Sequence, residues 1–315
     1  EMEASSNPEK TLTELCDVMF SRHKNMVQPF FTNASKDLFK SLTLYLYHFY
    51  EKRTGEKPTN GTLIGFFHTL TLKDSVVGGR KSQGLLTLIR ENPELHHLSD
   101  YLGDGGTAQA LGVLGELRVV LKETFQGGAF VKSGSFSVRE ALKKGRKIFF
   151  LYDFSESTES SIAFFDMIID QMIKLSMTEN GQKVWFILDE FSLLGHLQYL
   201  QPALAFGRGN GFRLIAAIQS VQLMEKNYSE QEAACILGLF PNIFCFFTSD
   251  YKSRQLLIRR YGTNFVSVIG FGTGKPELRE CNVIQDRDFY KITLPGDCIV
   301  SLAGYPPFFF RNHKE

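Results

Sequence analysis

The chain has 315 residues, 43% of them hydrophobic and 13% aromatic, enough for two domains or for one large domain with an insertion. A formal net charge of +1 excludes a global electrostatic pull toward nucleic acid, so any DNA contact must be local or belong to a pore built from several subunits. Five cysteines without a Cys-x-x-Cys pair argue against a disulfide framework or a zinc site, and the lack of a long apolar run or signal peptide makes the chain a soluble one in expectation.

Residues 1–15 are polar and read as a loosely held, linker-like start. A helix rich in Phe, Leu and Tyr is predicted from Phe30 to Tyr50, with Asn33 or Ser35 as its N-cap. The stretch from Gly55 through Pro58 to Gly61 breaks that pattern and marks a boundary. Residues 62–126 read as helices joined by polar, glycine-containing turns. The clearest places Leu111, Leu114, Leu117, Leu121 and Phe125 on one face, a packing stripe rather than a cofactor box. His96 and His97 are adjacent, so on a helix they point different ways, and no His-Glu-x-x-His pattern occurs. Lys132, Arg139, Lys143, Lys144, Arg146 and Lys147 form a local basic cluster; the preferred reading is the solvated face of a helix entering a buried strand, with a DNA patch as the other.

From Lys147 onward strands and helices alternate, the mark of a parallel α/β sheet. Ile148 to Asp153 is predicted as a strand and Glu159 to Leu175 as a crossover helix, apolar nearly all round. Residues 184–188 are apolar at consecutive positions, as in a strand buried on both faces, and they end in Asp189-Glu190. Ligands of open α/β sheets bind at the carboxyl ends of strands, where these acids fall. An apolar strand closing on Asp-Glu is how P-loop NTPases place a magnesium-holding carboxylate beside one that polarises water; the bland reading is a strand that stops at a solvated acidic turn. Leu197, Leu200 and Leu204 follow at helical spacing, then Gly207-Arg208-Gly-Asn-Gly211, then a second apolar strand from Arg213 to Gln219-Ser220. Asn242–Thr248 and Cys298–Leu302 read as further strands, Ser253–Tyr261 as a helix, and Pro306–Phe310 as an edge strand, since proline is confined to edges.

The order of Leu188-Asp-Glu-Phe191, Leu194-Gly195, Gly207-Arg208, Gln219-Ser220 and Gln222-Leu223 resembles the C-terminal half of the motor domain of type IV coupling proteins, the TraG/TraD-like ATPases of bacterial conjugation and type IV secretion. The resemblance implies an α/β fold: a RecA-like P-loop NTPase core with a mainly parallel sheet, plus an inserted small all-α domain. Residues 1–54 would be the linker and first helix of the nucleotide-binding domain, 55–130 the all-α insertion, and 131–315 the rest of the core. It implies ATP and Mg²⁺ as cofactors, with Asp189 holding Mg²⁺ through water and Glu190 orienting the attacking water. Arg208 matches an arginine finger directed at a neighbouring subunit's ATP, and Gln219 a sensor of the γ-phosphate. Arg208 could instead cap the preceding helix, and Gln219 could be a strand-end hydrogen bonder.

The match has one departure. No Gly-x-x-x-x-Gly-Lys-Ser/Thr loop occurs; Gly270 to Pro276 has the wrong glycine spacing and lies downstream, and reads as a flexible turn, while Val77 to Ser82 also fails the spacing. The expectation is therefore a fragment beginning after the phosphate loop, inactive as an ATPase by itself. The implied whole is a hexameric ring at the cytoplasmic face of the bacterial inner membrane that works with other type IV secretion components. It drives relaxase-bound DNA, single- or double-stranded, or effector proteins into the channel. The alternatives are a cargo-docking receptor that hydrolyses nothing and a DNA pump of the FtsK/HerA kind.

Overall fold

In the computed structural model, residues 1–21, 29–77, 80–125, 134, 136–151, 159–178, 183–269 and 276–311 are described. Two compact units emerge, Glu1–Gln182 with Leu194–Ala203, and Lys183–Leu193 with Leu204–Glu315.

The first unit is mostly helical. Its elements are α1 (Pro8–Ser21), α2 (Pro29–Thr54), α3 (Asn60–Thr69), the short hairpin β1 (Ser75–Val77) and β2 (Arg80–Ser82), α4 (Leu85–Glu91), a 3-10 turn over Pro93–Leu98, and α5 (Ser99–Leu102). There follow α6 (Ala108–Phe125), α7 (Val138–Lys143) and α8 (Glu159–Thr178). A core shared by α1 to α6 contains Leu38 and Leu42 of α2, Leu85 of α4, and Val113, Leu117 and Val120 of α6. The helices α2 and α6 approach closely at Gly112, where an added Cβ would stand 2.6 Å from the Phe31 ring.

Ser35, expected to cap α2, lies inside that helix; its hydroxyl is buried and donates to the Val113 carbonyl of α6 at 2.8 Å. Asn33 also lies within α2, which starts at Pro29. Of the predicted α6 stripe, Leu114 and Leu117 are buried, Leu121 and Phe125 pack at the edge of the core, and Leu111 is exposed. The helix turns about 100° per residue, and Leu111 falls just off the buried arc that Ala110, Val113, Leu114 and Leu117 define. The hairpin β1–β2 interrupts a region read as wholly helical.

Residues 148–151 form no strand, and Phe149 and Leu151 are 82% and 89% exposed, against the expectation of a buried strand. Tyr152 and Asp153 lie outside the described residues.

The second unit carries the sheets. β3 (Val184–Leu188) pairs in parallel with β4 (Phe212–Ala216), Val184 opposite Phe212 and Leu188 opposite Ala216. The short helix α9 (Leu200–Phe206) lies between them in the chain. After β4 come α10 (Val221–Met224), α11 (Glu230–Gly238), β5 (Ile243–Cys245), α12 (Tyr251–Tyr261), β6 (Thr263–Ile269), β7 (Pro276–Asn282), α13 (Asp286–Phe289), β8 (Cys298–Ser301) and β9 (Phe308–Phe310). β5, β8 and β9 form an antiparallel sheet in that order, with β9 at the edge directly after Pro306 and Pro307, which form no part of the strand. β6 and β7 form a separate antiparallel hairpin that the sequence reading did not foresee; most of the glycine segment once read as a flexible turn, residues 270–275, lies outside the described residues. A core of Leu257, Ile258, Phe289, Ile292 and Ile299 holds α12, α13 and β8 together.

Among the described residues β3–β4 is the parallel pairing and the others are antiparallel. β3 is also buried on one face only. Phe186 and Leu188 are covered, whereas Trp185 and Ile187 are 62% and 72% exposed. A run of apolar residues reports that a strand suits burial on both faces, but not that both faces are covered.

Candidate functional site

The site begins where β3 stops. The carbonyl of Leu188 accepts from the Ala217 N–H at 3.0 Å, and the Ala217 carbonyl accepts from the Phe191 N–H at 2.8 Å. Both bonds belong to one residue beyond β4, so Asp189 and Glu190 are looped out of the ladder between them. Glu190 takes φ +57°, the one non-glycine residue in the left-handed region among the described residues. That conformation costs a side-chain-bearing residue about 1–2 kcal/mol, and such costs concentrate at functional turns.

What holds the strained turn is its far side. Phe191 is fully buried with its ring 6.0 Å from Tyr228, the Leu193 N–H donates to the Glu190 carbonyl at 2.9 Å, and Asn227 donates through Nδ2 to the Ser192 carbonyl at 3.0 Å. The Asp189 carboxylate is exposed and that of Glu190 half-buried; neither engages a hydrogen bond or ion pair among the described residues.

Gln219 lies two residues past Ala217, at the same end of the strand pair, and is exposed. Ser220 ends the strand's continuation by capping α10, its hydroxyl accepting from Leu223 N at 3.2 Å. Val221 N donates to Ser253 Oγ at 3.0 Å, tying this end to the start of α12. Arg208 is elsewhere. It precedes β4, so it sits at the opposite end of the β3–β4 pair, roughly 17 Å away for five residues at about 3.3 Å each. Its guanidinium is exposed without an ion pair among the described residues, and its carbonyl accepts from Gly211 N and Arg213 Nη1. The structure thus places Asp189, Glu190 and Gln219 at one end of the strand pair and Arg208 at the other.

The donor set fits half of a magnesium-nucleotide site. Magnesium binds through one or two carboxylates and otherwise through water and phosphate oxygens, which the free Asp189 carboxylate suits. Among the described residues no group of three His, Cys, Asp or Glu side chains forms a denser metal site.

Two acids in the first unit were missed. Asp166 on α8 accepts from the Gly195 N–H with both oxygens, at 3.0 and 3.1 Å, and Asp170 one turn later accepts from the Tyr199 N–H at 2.8 Å. Together they clasp residues 195–199, the segment that follows the acid turn in the chain. Burial pushes the Asp170 carboxyl up to about 7, against the opposing pull of the Tyr199 and Gln198 N–H groups and of Lys174. Lys174 is itself held by Glu14 at 2.6 Å and by the Tyr199 hydroxyl at 3.1 Å. The signal in the sequence was a pair of acids spaced i, i+4 among the apolar residues of this helix.

Against solved structures the chain shares the fold of conjugative coupling proteins. It is similar to the unbound monoclinic form of the bacterial conjugative coupling protein TrwBdeltaN70, with 18% identity, a TM-score of 0.77, and coverage of 98% of this chain and 69% of that one. It is likewise similar to the plasmid coupling protein TrwB in complex with ADP and Mg²⁺, at 17% identity and TM-score 0.74 over 98% and 69% of the two chains. TrwB with a non-hydrolysable ATP analogue gives 18% identity and TM-score 0.74, over 98% and 68%. No curated protein sequence matches the chain significantly. Residues 96–292 match the model of the type IV secretion-system coupling protein DNA-binding domain, and the chain belongs to that family. No described helix is long and apolar enough to cross a membrane.

Proposed function

We propose that the chain is the motor portion of a ring-forming coupling ATPase that passes DNA with its relaxase, or effector proteins, to a type IV secretion channel at the cytoplasmic face of the inner membrane. The observation that carries this reading is the looped-out Asp189-Glu190 turn beside Gln219, with Arg208 at the far end of the same strand pair. In this reading residues 131–315 are the larger part of a RecA-like core, residues 1–54 its N-terminal linker and helix, and residues 55–130 the all-α insertion. Six subunits close the ring and meet the other secretion components. The TrwB complexes with ADP and Mg²⁺ and with an ATP analogue support nucleotide as the ligand.

Bound Mg²⁺ would supply charge neutralisation on the transferring phosphoryl group. Asp189, exposed and unpaired among the described residues, would hold the metal through water. Glu190 is turned by its left-handed backbone out of the strand direction and orients the attacking water with its carboxylate. Gln219 stands beside them to sense the terminal phosphate. Arg208 is too far from its own chain's acids to act on them, so it serves the site of the adjacent subunit, where it stabilises charge that grows in the transition state.

The test is made in the ring-forming protein. Glu190→Gln should bind ATP and lose turnover, and Arg208→Ala should be inactive alone but regain part of its activity in rings mixed with Glu190→Gln subunits. Wild-type turnover in Glu190→Gln would sink the catalytic assignment. Failure of the mixed rings, with assembly confirmed, would make Arg208 a structural residue.

A further inference from the structure

The helical first unit holds a cavity that the motor reading does not use. Phe39 of α2, Leu63, Ile64 and Phe67 of α3, and Leu121 and Phe125 of α6 line a space of about 240 Å³. Its walls are firmly set. α3 starts from a reciprocal cap between Thr59 and Thr62, and the rings of Phe39 and Phe67 meet at 5.0 Å. The polar groups are confined to the rim, where His68, Arg118 and Lys122 are exposed. Arg118 is steadied by donating from Nη2 to the Leu70 carbonyl at 3.2 Å, and neither Arg118 nor Lys122 forms an ion pair with a carboxylate among the described residues.

Size and chemistry narrow the occupant. Cofactor and drug-sized sites run to roughly 300–1,000 Å³, whereas an apolar cavity of about 150 Å³ accepts benzene, so this one suits a single bulky side chain. A nucleobase would carry its hydrogen-bonding edge into a wall of phenylalanine, leucine and isoleucine and leave it unsatisfied, at a cost of a few kcal/mol. An aromatic or large aliphatic side chain has no such penalty. Two rim cations without a carboxylate partner among the described residues complement acidic residues beside that anchor.

We propose that this cavity is a docking site for a protein partner, receiving one bulky apolar side chain whose acidic neighbours lie against Arg118 and Lys122. Docking here needs neither nucleotide nor the Asp189-Glu190 turn, so the inference goes beyond the motor reading and stands or falls separately from it.

The experiment is fluorescence anisotropy with the 315-residue chain and a labelled heptapeptide bearing one central phenylalanine between acidic residues, at low and at physiological salt. Saturable binding is expected, weakened at least tenfold when the peptide's phenylalanine becomes alanine and about fivefold by Lys122→Glu, an exposed change that leaves the core intact. Leu63→Trp should fill the cavity and abolish binding, with circular dichroism checking that the unit still folds. Equal affinity for the phenylalanine and alanine peptides would reduce the site to a basic patch and overturn the proposal. So would a lack of saturation at about 1 mM peptide. Direct binding of a labelled twelve-nucleotide oligothymidine that competes with the peptide on the wild-type chain and is lost on Leu63→Trp would assign the cavity to a base and overturn it as well.

Discussion

Replacing Asp170 by asparagine should stabilise the protein at neutral pH and leave it unchanged in acid. The wild-type carboxyl rises from an ordinary 3.8 to about 7, chiefly because burial disfavours its charge. In the unfolded chain it ionises near its ordinary value. Below both values the carboxyl is protonated in either state and contributes nothing to the pH dependence. Between them the unfolded chain releases a proton that the native one retains, so stability falls as pH rises and the loss is complete above about 7. Three units at about 1.4 kcal/mol each set a ceiling of roughly 4 kcal/mol, of which about two units fall between pH 5 and pH 8. Asparagine keeps an oxygen to accept from Tyr199 N but carries no charge, so its advantage over wild type should widen by roughly 3 kcal/mol across that range. Urea unfolding at pH 5, 6, 7 and 8 reads this directly. A difference that stays flat with pH, or a variant weaker than wild type at pH 8, would refute the reasoning. Asp170→Ala is the control: it orphans the Tyr199 N–H and should cost about 1–3 kcal/mol at acid pH, where the charge penalty no longer offsets it.

Glu190→Gly should raise stability by up to about 1 kcal/mol, because relief of the left-handed strain exceeds the extra chain entropy glycine brings to the unfolded state, while Glu190→Val should lower it; thermal unfolding separates the two. Phe191→Ala should cost about 3–5 kcal/mol, since the ring is fully buried against Tyr228 and its removal leaves a cavity beneath the acid turn, and denaturant midpoints check it. Glu14→Ala should cost roughly 3 kcal/mol by leaving Lys174 without its carboxylate in a mostly buried setting, and a double-mutant cycle with Lys174→Met should recover part of that loss.

Much of the fold could be read from the residues where local pattern and burial agree. The helix over Glu159–Thr178, the strands ending at the acid pair and before Gln219, the helix over Tyr251–Tyr261 and the strand at Phe308–Phe310 that starts after two prolines all follow from local pattern. The rest depended on what covers an apolar segment, which no single sequence states. Ile148–Leu151 has the composition of a buried strand but forms none among the described residues, and β3 has a covered face and a bare one. The β6–β7 hairpin was missed because its residues are almost all exposed and follow no inward-outward alternation.

The placement of the acid pair and Gln219 at one end of the strand pair was legible because each follows an apolar run. The left-handed backbone of Glu190 was not, because glutamate carries no local preference for it. The buried acids Asp166 and Asp170 were hidden by the apolar residues around them, although their spacing placed both on one face of α8.

The turn at residue 190 sets folding against chemistry. Backbone sterics favour glycine there, with asparagine next, and a glutamate codon lies one nucleotide from a glycine codon. A lineage in which the carboxylate had no task would drift to glycine with a gain in stability and no damage to the strand pair. Retention of glutamate at this position in any descendant of this gene would therefore record selection for the carboxylate itself, and its loss would date the moment a copy stopped needing it.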